Sequence, residues 1–533
     1  MKIQKLIIKD LIKDRARTSA DLVSFKRKIA KKYKIPCPSN IQLLKAYHEL
    51  LKEKRINKIE RIETLLRTRP VRSLSGIINV SVLTKPYPCP GKCLYCPDEK
   101  GVPKSYLSGE PAVQRAKKLR YHPYLQVKKR IEMLNAQGHP TDKIDLRIIG
   151  GTWSYYPKQY QTWFVKSCFN ACNKKQANNL IEAQRLNERA KHRIIGLSVE
   201  TRPDFVDEKE IKRMRRLGIT KVEMGIQSVY DEVLTLNQRG HQVEAIIKAT
   251  KLLKDAGFKV SYQVMPNLPG SNPKKDVEMF DQLFKNPDFK PDLLKIYPCA
   301  LLKQAPLYKL YLKGKYKPYS RKTLFNIIKK AKKKTPYYVR IERIARDIPS
   351  QEIITGPAKI SNMRQLVKEK IKKEGWTCKC IRCREVKDRY DVKEKLYLFR
   401  EDYNASEGKE IFLTFENKER TKLYSLLRLR IPSFSLRDSN DKHFLSVLEN
   451  AAIIRGIHTY GQLVPIAEKK KAPQHKGLGK KLIKRAEKIS EKEFGLKKIA
   501  VISAVGARGY YRRLGYKLKN DYMLRNISKI FRS

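Results

Sequence analysis

GIINVSVLTKPYPCPGKCLYCP, residues 76–97, joins an apolar, β-branched run to a loop that carries three cysteines. The run GIINVSVLT (76–84) reads as a short buried strand, and the proline- and glycine-bearing stretch after it stops that strand. Cys89, Cys93 and Cys96 then crowd one loop. Soft thiolates so arranged bind zinc or an iron–sulfur cluster. Structural zinc wants four ligands, and no fourth cysteine or histidine follows at finger spacing. Three cysteines on a four-iron cubane leave one iron open to a small-molecule ligand, whereas electron-transfer clusters use all four positions. The pair Leu94-Tyr95 is suited to shielding such a cluster and packing against a nucleobase.

Downstream the strand signal recurs: IDLRIIGGT (144–152), RIIGLSVET (193–201), KVEMGIQS (221–228), FKVSYQVMPNLPG (258–270) and LLKIYPC (293–299). Amphipathic helical stretches separate these runs, among them DEKEIKRMRRLG (207–218) and QVEAIIKATKLLKDAG (242–257). Alternation of this kind predicts parallel strands with helices outside, a full or partial α/β barrel with its chemistry at the strand ends. Each run does end in a polar or glycine-bearing cluster. After about residue 385 the pattern changes to YLFREDY, EIFLTFEN, KLYSLLRLRI and AAIIRGIHTYGQLVPIAE, read as antiparallel strands. A glycine-bearing turn, a helix (LGKKLIKRAEKISEKEFG), a strand (KKIAVISAV) and a short helix (ARGYYRRLG) complete a second, mixed α/β domain. The expected organisation is a basic helical region at 1–70, a barrel at 71–370, a cysteine-rich linker at 371–390 and a second domain at 391–533.

Composition sets the wider frame. The chain has 533 residues, 41% of them hydrophobic, enough for several packed cores. Lys and Arg number 117 against 53 Asp and Glu, a net charge of +64, which favours a polyanionic partner such as RNA. The basic helices of 1–70 (LIIKDLIKDRARTSADLVSFKRKIAKKYK, then IQLLKAYHELLKEK after the break at Ile35–Asn40) read either as a solvated helical hairpin or as a binding face. No run of about 18 apolar residues occurs, so no membrane helix is expected. The N-terminus lacks the uninterrupted apolar core of a secretion signal. A cytoplasmic protein is expected, and its ten cysteines then point to metal or redox chemistry rather than disulfides.

Two further motifs carry chemistry. Gln474-His475-Lys476-Gly477-Leu478-Gly479-Lys480 lies between a strand and a helix, where successive backbone N–H groups and glycines suit a pyrophosphate. Cys378, Cys380 and Cys383 in CKCIRCRE can share one metal, and zinc there would stiffen the domain junction. Cys299 is the spare thiol considered as a fourth ligand.

The CxxxCxxC loop resembles that of the radical S-adenosylmethionine (SAM) superfamily. The resemblance implies that Cys89, Cys93 and Cys96 hold a [4Fe–4S] cluster and that Gly150, Gly151 and Thr152 meet the SAM amino group. It further implies that Glu200, Gln227, Ser228 and Arg239 contact SAM or its ribose. The 474–480 turn resembles the acetyl-CoA site of GNAT acetyltransferases, which implies roles near the thioester for Tyr510 and Tyr511 in GYYRRLGY. Taken in order, SYLSGEPAVQRA, VRIERIARDIP, CKCIRCRE, IHTYG, QHKGLG and GYYRRLGY resemble the Elongator protein three family over nearly the whole chain. That family implies wobble-uridine modification of tRNA. A SAM-derived radical takes hydrogen from the acetyl-CoA methyl group, the carbon radical adds to the uridine, and hydrolysis leaves 5-carboxymethyluridine. It also implies an active-site role for Lys295, zinc at 378–383, and action without other Elongator subunits. One departure is Gly456, where the family usually has an acidic residue. Two other readings stay open on the residues alone: a protein lysine acetyltransferase with a structural cluster, and a non-catalytic RNA-binding scaffold.

Overall fold

The computed structural model describes residues 2–387, 391, 393–433, 443–461 and 477–528. Seven strands, β1 (Ile78–Leu83), β2 (Lys143–Ile149), β3 (Arg193–Thr201), β4 (Lys221–Gln227), β5 (Lys259–Val264), β6 (Leu293–Ile296) and β7 (Arg340–Ile344), pair in chain order. All six pairings are parallel. Among the described residues β7 does not pair with β1, so the sheet is a barrel open along one side. The helices lie outside, as right-handed crossovers between parallel strands require. On β2, Ile144, Leu146 and Ile148 enter the core shared with those helices, while Lys143, Asp145 and Arg147 alternate inward. The sequence reading includes six of these strands and omits β7.

The second sheet runs β13-β14-β12-β11-β10-β9-β8, from β8 (Tyr397–Ala405), β9 (Gly408–Glu416), β10 (Leu423–Ile431), β11 (Ala451–Thr459), β12 (Lys498–Val501), β13 (Lys517–Lys519) and β14 (Tyr522–Asn526). Only β11 and β12 pair in parallel, from Ala451↔Lys498 to Ile454↔Val501. Beyond that point β11 continues without β12, and the helix Leu478–Lys492 begins in the resulting wedge.

The N-terminal region is more than a hairpin. Four helices (Lys2–Lys13, Ser19–Lys32, Asn40–Lys52 and Glu60–Leu66) enclose their own core around Ile8, Leu11, Leu44, Tyr47 and Leu66. Capping boxes at Thr18/Asp21 and Ser39/Gln42 set two of the helix starts. The lysines lie on the outside of this bundle.

The two sheets meet through buried ion pairs. Arg455 of β11 reaches Asp292 at 2.6 Å and Glu410 at 2.9 Å, and Arg428 of β10 reaches Asp292 at 3.2 Å. Arg430 of β10 binds Asp255 at 2.6 Å. The cysteine-rich segment crosses the same junction. Arg384 donates to the Tyr337 carbonyl at 2.7 Å and pairs with Glu416 of β9.

Candidate active site

The three-thiol loop lies over the C-terminal ends of the barrel strands. A cavity of about 110 Å³ there is lined by Cys89, Cys93, Cys96, Gly150, Gly151, Thr152, Glu200, Gln227 and Arg239. Backbone geometry accounts for several of these positions. Gly150 has φ 144°, and a Cβ on it would come within 1.9 Å of the Thr84 hydroxyl, so only glycine lets the chain turn there. Gln227 ends β4 at φ 68°, a left-handed conformation costly for a non-glycine residue, at the edge of the cavity. Arg239 donates to the Gly225 carbonyl at 2.6 Å and to Cys93 Sγ at 3.5 Å. Burial and the neighbouring thiols push the Cys96 thiol up to about 12. Ser228 is not brought to this cavity: its hydroxyl accepts the Tyr230 N–H at 3.3 Å.

The residues fit the group that the loop implies. Three soft donors converge from one loop, while Tyr95 Oη and Arg239 Nε are buried without hydrogen-bond partners. Gly151 has only the Tyr156 ring end within 4 Å of where a Cβ would stand. The sulfurs do not gather within 4.8 Å of one another, which suits a cluster several ångström across better than a single ion.

Glu200 and Lys295 sit just inside the lumen. Glu200 accepts from Tyr106 Oη and Gln263 Nε2, both at 3.0 Å, and from Lys295 at 3.3 Å. Lys295 also pairs with Glu223, which in turn meets Lys221 at 2.9 Å. Burial works to lower the Lys295 pKa, but Glu223, Tyr297 and Glu200 outweigh it and hold the amine protonated. Lys295 is therefore a fixed ammonium and not a proton acceptor. Tyr106, Gln263 and Glu223 are absent from the sequence-based site, because nothing local marks which charged lumen residues pair.

At the opposite end of the barrel, a cavity of about 380 Å³ is bounded by Gly76, Lys143 and Thr220 below the barrel strands and by Thr459, Ser503 and Tyr510 of the second domain. Gly477, Gly479 and Lys480 line it, as does Tyr511. Gly477 caps the Leu478–Lys492 helix at φ 68°, and Leu478 is buried under it. Gln474, His475 and Lys476 lie outside the described residues. The two tyrosines separate clearly: Tyr510 is 36% exposed and Tyr511 4%. A Cβ on Gly479 would stand 3.3 Å from Tyr510 Oη, so that hydroxyl overhangs the helix start, whereas Tyr511 packs into the core beside Tyr516. Lys259 also faces this cavity, its pKa lowered by burial. Gly456 leaves room for it, since a Cβ there would touch Lys259 Cδ at 3.3 Å.

The second cysteine group is compact. The sulfurs of Cys378, Cys380 and Cys383 all lie within 4.8 Å of one another, and Lys332 Nζ stands 3.6 Å from Cys383 Sγ. Cys299 does not join them. It is buried in a separate apolar cluster with Val233, Leu301 and Tyr316, and the expectation of a fourth ligand there is corrected. The reason is topological: Cys299 follows β6 at the strand ends, and the group at 378–383 packs beside Val339, ahead of β7.

An open parallel barrel with a three-thiol loop at its strand ends defines a radical SAM fold. Residues 86–283 match the radical SAM superfamily, and residues 291–373 match the radical SAM C-terminal domain. The tRNA uridine(34) acetyltransferase of Methanocaldococcus jannaschii is 46% identical over 500 residues, 91% of this chain and 90% of that protein. Human Elongator complex protein 3 is 35% identical over 97% of this chain and 96% of its own length. The solved archaeal Methanocaldococcus infernus Elp3 lacking residues 1–46 superposes with a TM-score of 0.73 at 42% identity, covering 85% of this chain and 99% of that one. The chain belongs to the family of the tRNA uridine(34) acetyltransferases and Elongator complex protein 3, and it is an enzyme of the radical SAM class.

Proposed function

We propose that the chain modifies uridine 34 of tRNA by carboxymethylation, taking the two-carbon unit from acetyl-CoA. The observation that carries this reading is that one barrel forms part of both cavities. Cys89, Cys93 and Cys96 stand over one end, and the Gly477–Lys480 helix start and Tyr510 close the other. A plain acetyltransferase has no use for the first cavity, and a plain radical enzyme none for the second.

Cys89, Cys93 and Cys96 would hold a [4Fe–4S] cluster, with Gly150–Thr152, Glu200, Gln227 and Arg239 around SAM. Together these supply a carbon radical at the strand ends when bound. The chain's own groups do the rest. The ammonium of Lys295 stays charged beside Glu200 and Glu223 and offers a fixed positive end to an enolate-like or carboxylate oxygen. The N–H groups at the start of the Leu478–Lys492 helix offer a cradle for pyrophosphate. Tyr510, with its hydroxyl over Gly479, is the tyrosine suited to give a proton to the thioester sulfur. Tyr511, though also in the sequence-based pair, serves as packing. Cys378, Cys380 and Cys383 fit a zinc ion, since Zn–S bonds of about 2.3 Å put tetrahedral sulfurs roughly 3.8 Å apart.

The basic four-helix region and the relatives' names support tRNA as the partner. No described helix is long and apolar enough to cross a membrane. The chain's expected independence of other Elongator subunits rests on its similarity to archaeal and bacterial relatives.

The test is acetyl-CoA hydrolysis with tRNA, without tRNA and with a tRNA lacking uridine 34, alongside mass spectrometry of the wobble nucleoside. Only the first should be fast and yield the carboxymethyl product. Tyr510→Phe should slow it by about 100-fold, within the range of lost general acid catalysis, and Tyr511→Phe much less. Efficient acetylation of protein lysines with no response to tRNA would overturn the reading.

A further inference from the structure

The open side of the barrel, between β1 and β7, leads into a cavity of about 460 Å³ that reaches Cys96, Glu200 and Lys295 at its inner end. Seven arginines line it, and they fall into two sets. Arg147 is bound to Asp145 at 3.0 Å and Glu342 at 3.3 Å, Arg346 to Glu110 at 3.2 Å, and Arg343 to Asp347. Arg69, Arg72, Arg115 and Arg130 have no carboxylate partner among the described residues. Arg72 donates to the neutral Gln137 Oε1 at 2.7 Å. The side chains of the other three make no hydrogen bond or ion pair among the described residues.

The second set comes from three separate pieces of chain. Arg69 and Arg72 belong to the turn that joins the N-terminal helices to β1, Arg115 to the helix Pro111–Lys118, and Arg130 to the helix Pro123–Ala136. These guanidiniums oppose one another. Burial, Arg115 and Arg72 push Arg130 down to about 10, and burial followed by Arg72 lowers Arg115. A chain that neutralises every other arginine of this cavity leaves a convergent set repelling itself at the mouth. Forked guanidiniums so placed match the geometry of a phosphate.

We propose that Arg72, Arg115 and Arg130 form a phosphate subsite at the lateral mouth of the barrel, gripping a phosphodiester next to the base that enters the cavity. This rests on the reading of RNA as substrate. The subsite anchors the backbone outside while the unstacked base reaches Glu200 and Lys295 inside, as single-stranded RNA recognition requires. Arg69, more exposed on the same turn, adds to the field at the entrance.

The test uses the whole iron-loaded protein, Arg115→Gln alone and Arg115→Gln/Arg130→Gln together, with iron content and melting temperature as checks on folding. Anticodon stem-loops carry a neutral methylphosphonate at the linkage 5′ of uridine 34, at the linkage 3′ of it, or in the stem, and binding is followed by anisotropy over a range of salt. The double variant should lose about tenfold or more in affinity, and its salt slope should fall by about two, one for each contact removed. A methylphosphonate flanking uridine 34 should weaken the wild type and cost the double variant, which keeps only Arg72, much less, while one in the stem should act equally on both. Arg115→Gln should lie between. Equal slopes, or flanking methylphosphonates that cost both proteins the same, would overturn the subsite with RNA binding intact. Absence of stem-loop binding by the wild type would instead overturn the RNA reading itself. Displacement of the stem-loop by millimolar pyrophosphate from the wild type, with no flanking-linkage effect, would assign the arginines to a free phosphate ligand and refute the proposal.

Discussion

The loop Cys89–Cys96 and the segment Cys378–Cys383 each gather three thiols from a few residues of sequence, yet they are built for different tasks. The first hangs over open strand ends beside a cavity, with its sulfurs spread apart and Arg239 bonded to one of them. The second is drawn tight, within 4.8 Å, at a junction where Arg384 ties the barrel to β9. The cysteine count and the second gap are the same in both, and only the first gap differs, three residues against one. What differs is whether the chain around the thiols leaves a cavity beside them or draws the sulfurs together.

That contrast is breakable in order of expected effect. Cys93→Ala should remove the iron–sulfur absorption and SAM cleavage entirely, from about four irons per chain, while zinc content by elemental analysis stays at the wild-type value. Cys380→Ser should do the converse: zinc is lost, iron remains, and denaturant unfolding shows a loss of more than about 4 kcal/mol, the range typical of a lost metal site. Equal loss of both metals in either variant would erase the distinction. Lys332→Met removes the ammonium beside Cys383 and should weaken zinc about 10–100-fold in a chelator competition, the usual cost of a missing outer partner, with no change in iron.

The smallest effect is expected behind the first loop. Glu223→Gln removes the main counter-charge of Lys295, though Glu200 remains, at a cost of about 1–3 kcal/mol. In the wild type the Lys295 pKa is raised, so its contribution is fully present below the unfolded lysine value and fades only as pH rises through the folded one. In the variant burial should prevail and bring the folded pKa below the unfolded lysine value of about 10.4. The unfolded state then binds the extra proton, and stability should climb as pH rises through the range just below that value. Denaturation midpoints across that range check the sign; a flat profile would show that Glu200 alone holds the charge.

Most of the barrel was legible because its outward residues are apolar at every second position, as on β2. β7 was missed because Arg340, Glu342 and Arg343 crowd its five residues, and their use as lumen and junction ion pairs appears only once β2, β4 and the segment after β7 stand beside them. The hairpin β13–β14 was missed because its first strand has three exposed residues and no apolar alternation. The thiols, the glycines and the paired tyrosines were visible as motifs. Which of the two is exposed and which packs into the core was not, since adjacent positions on a helix differ by about 100° and only the core beneath fixes the zero. Cys299 stands out in the sequence only as a spare thiol at a strand end, and the fold places it in a separate apolar cluster.

The ion pairs between the sheets have a consequence for ancestry and for engineering. Asp255 and Asp292 belong to the barrel portion, and the arginines they neutralise, Arg428, Arg430 and Arg455, belong to β10 and β11. A gene divided at the cysteine-rich linker would strip Asp255 and Asp292 from these arginines, leaving Arg430 and Arg455 to share Glu410 of their own sheet and Arg428 without its carboxylate partner. The two halves therefore cannot be shuffled among unrelated partners as loose modules can. Any recombination that transplants the second sheet must carry the floor of this barrel with it.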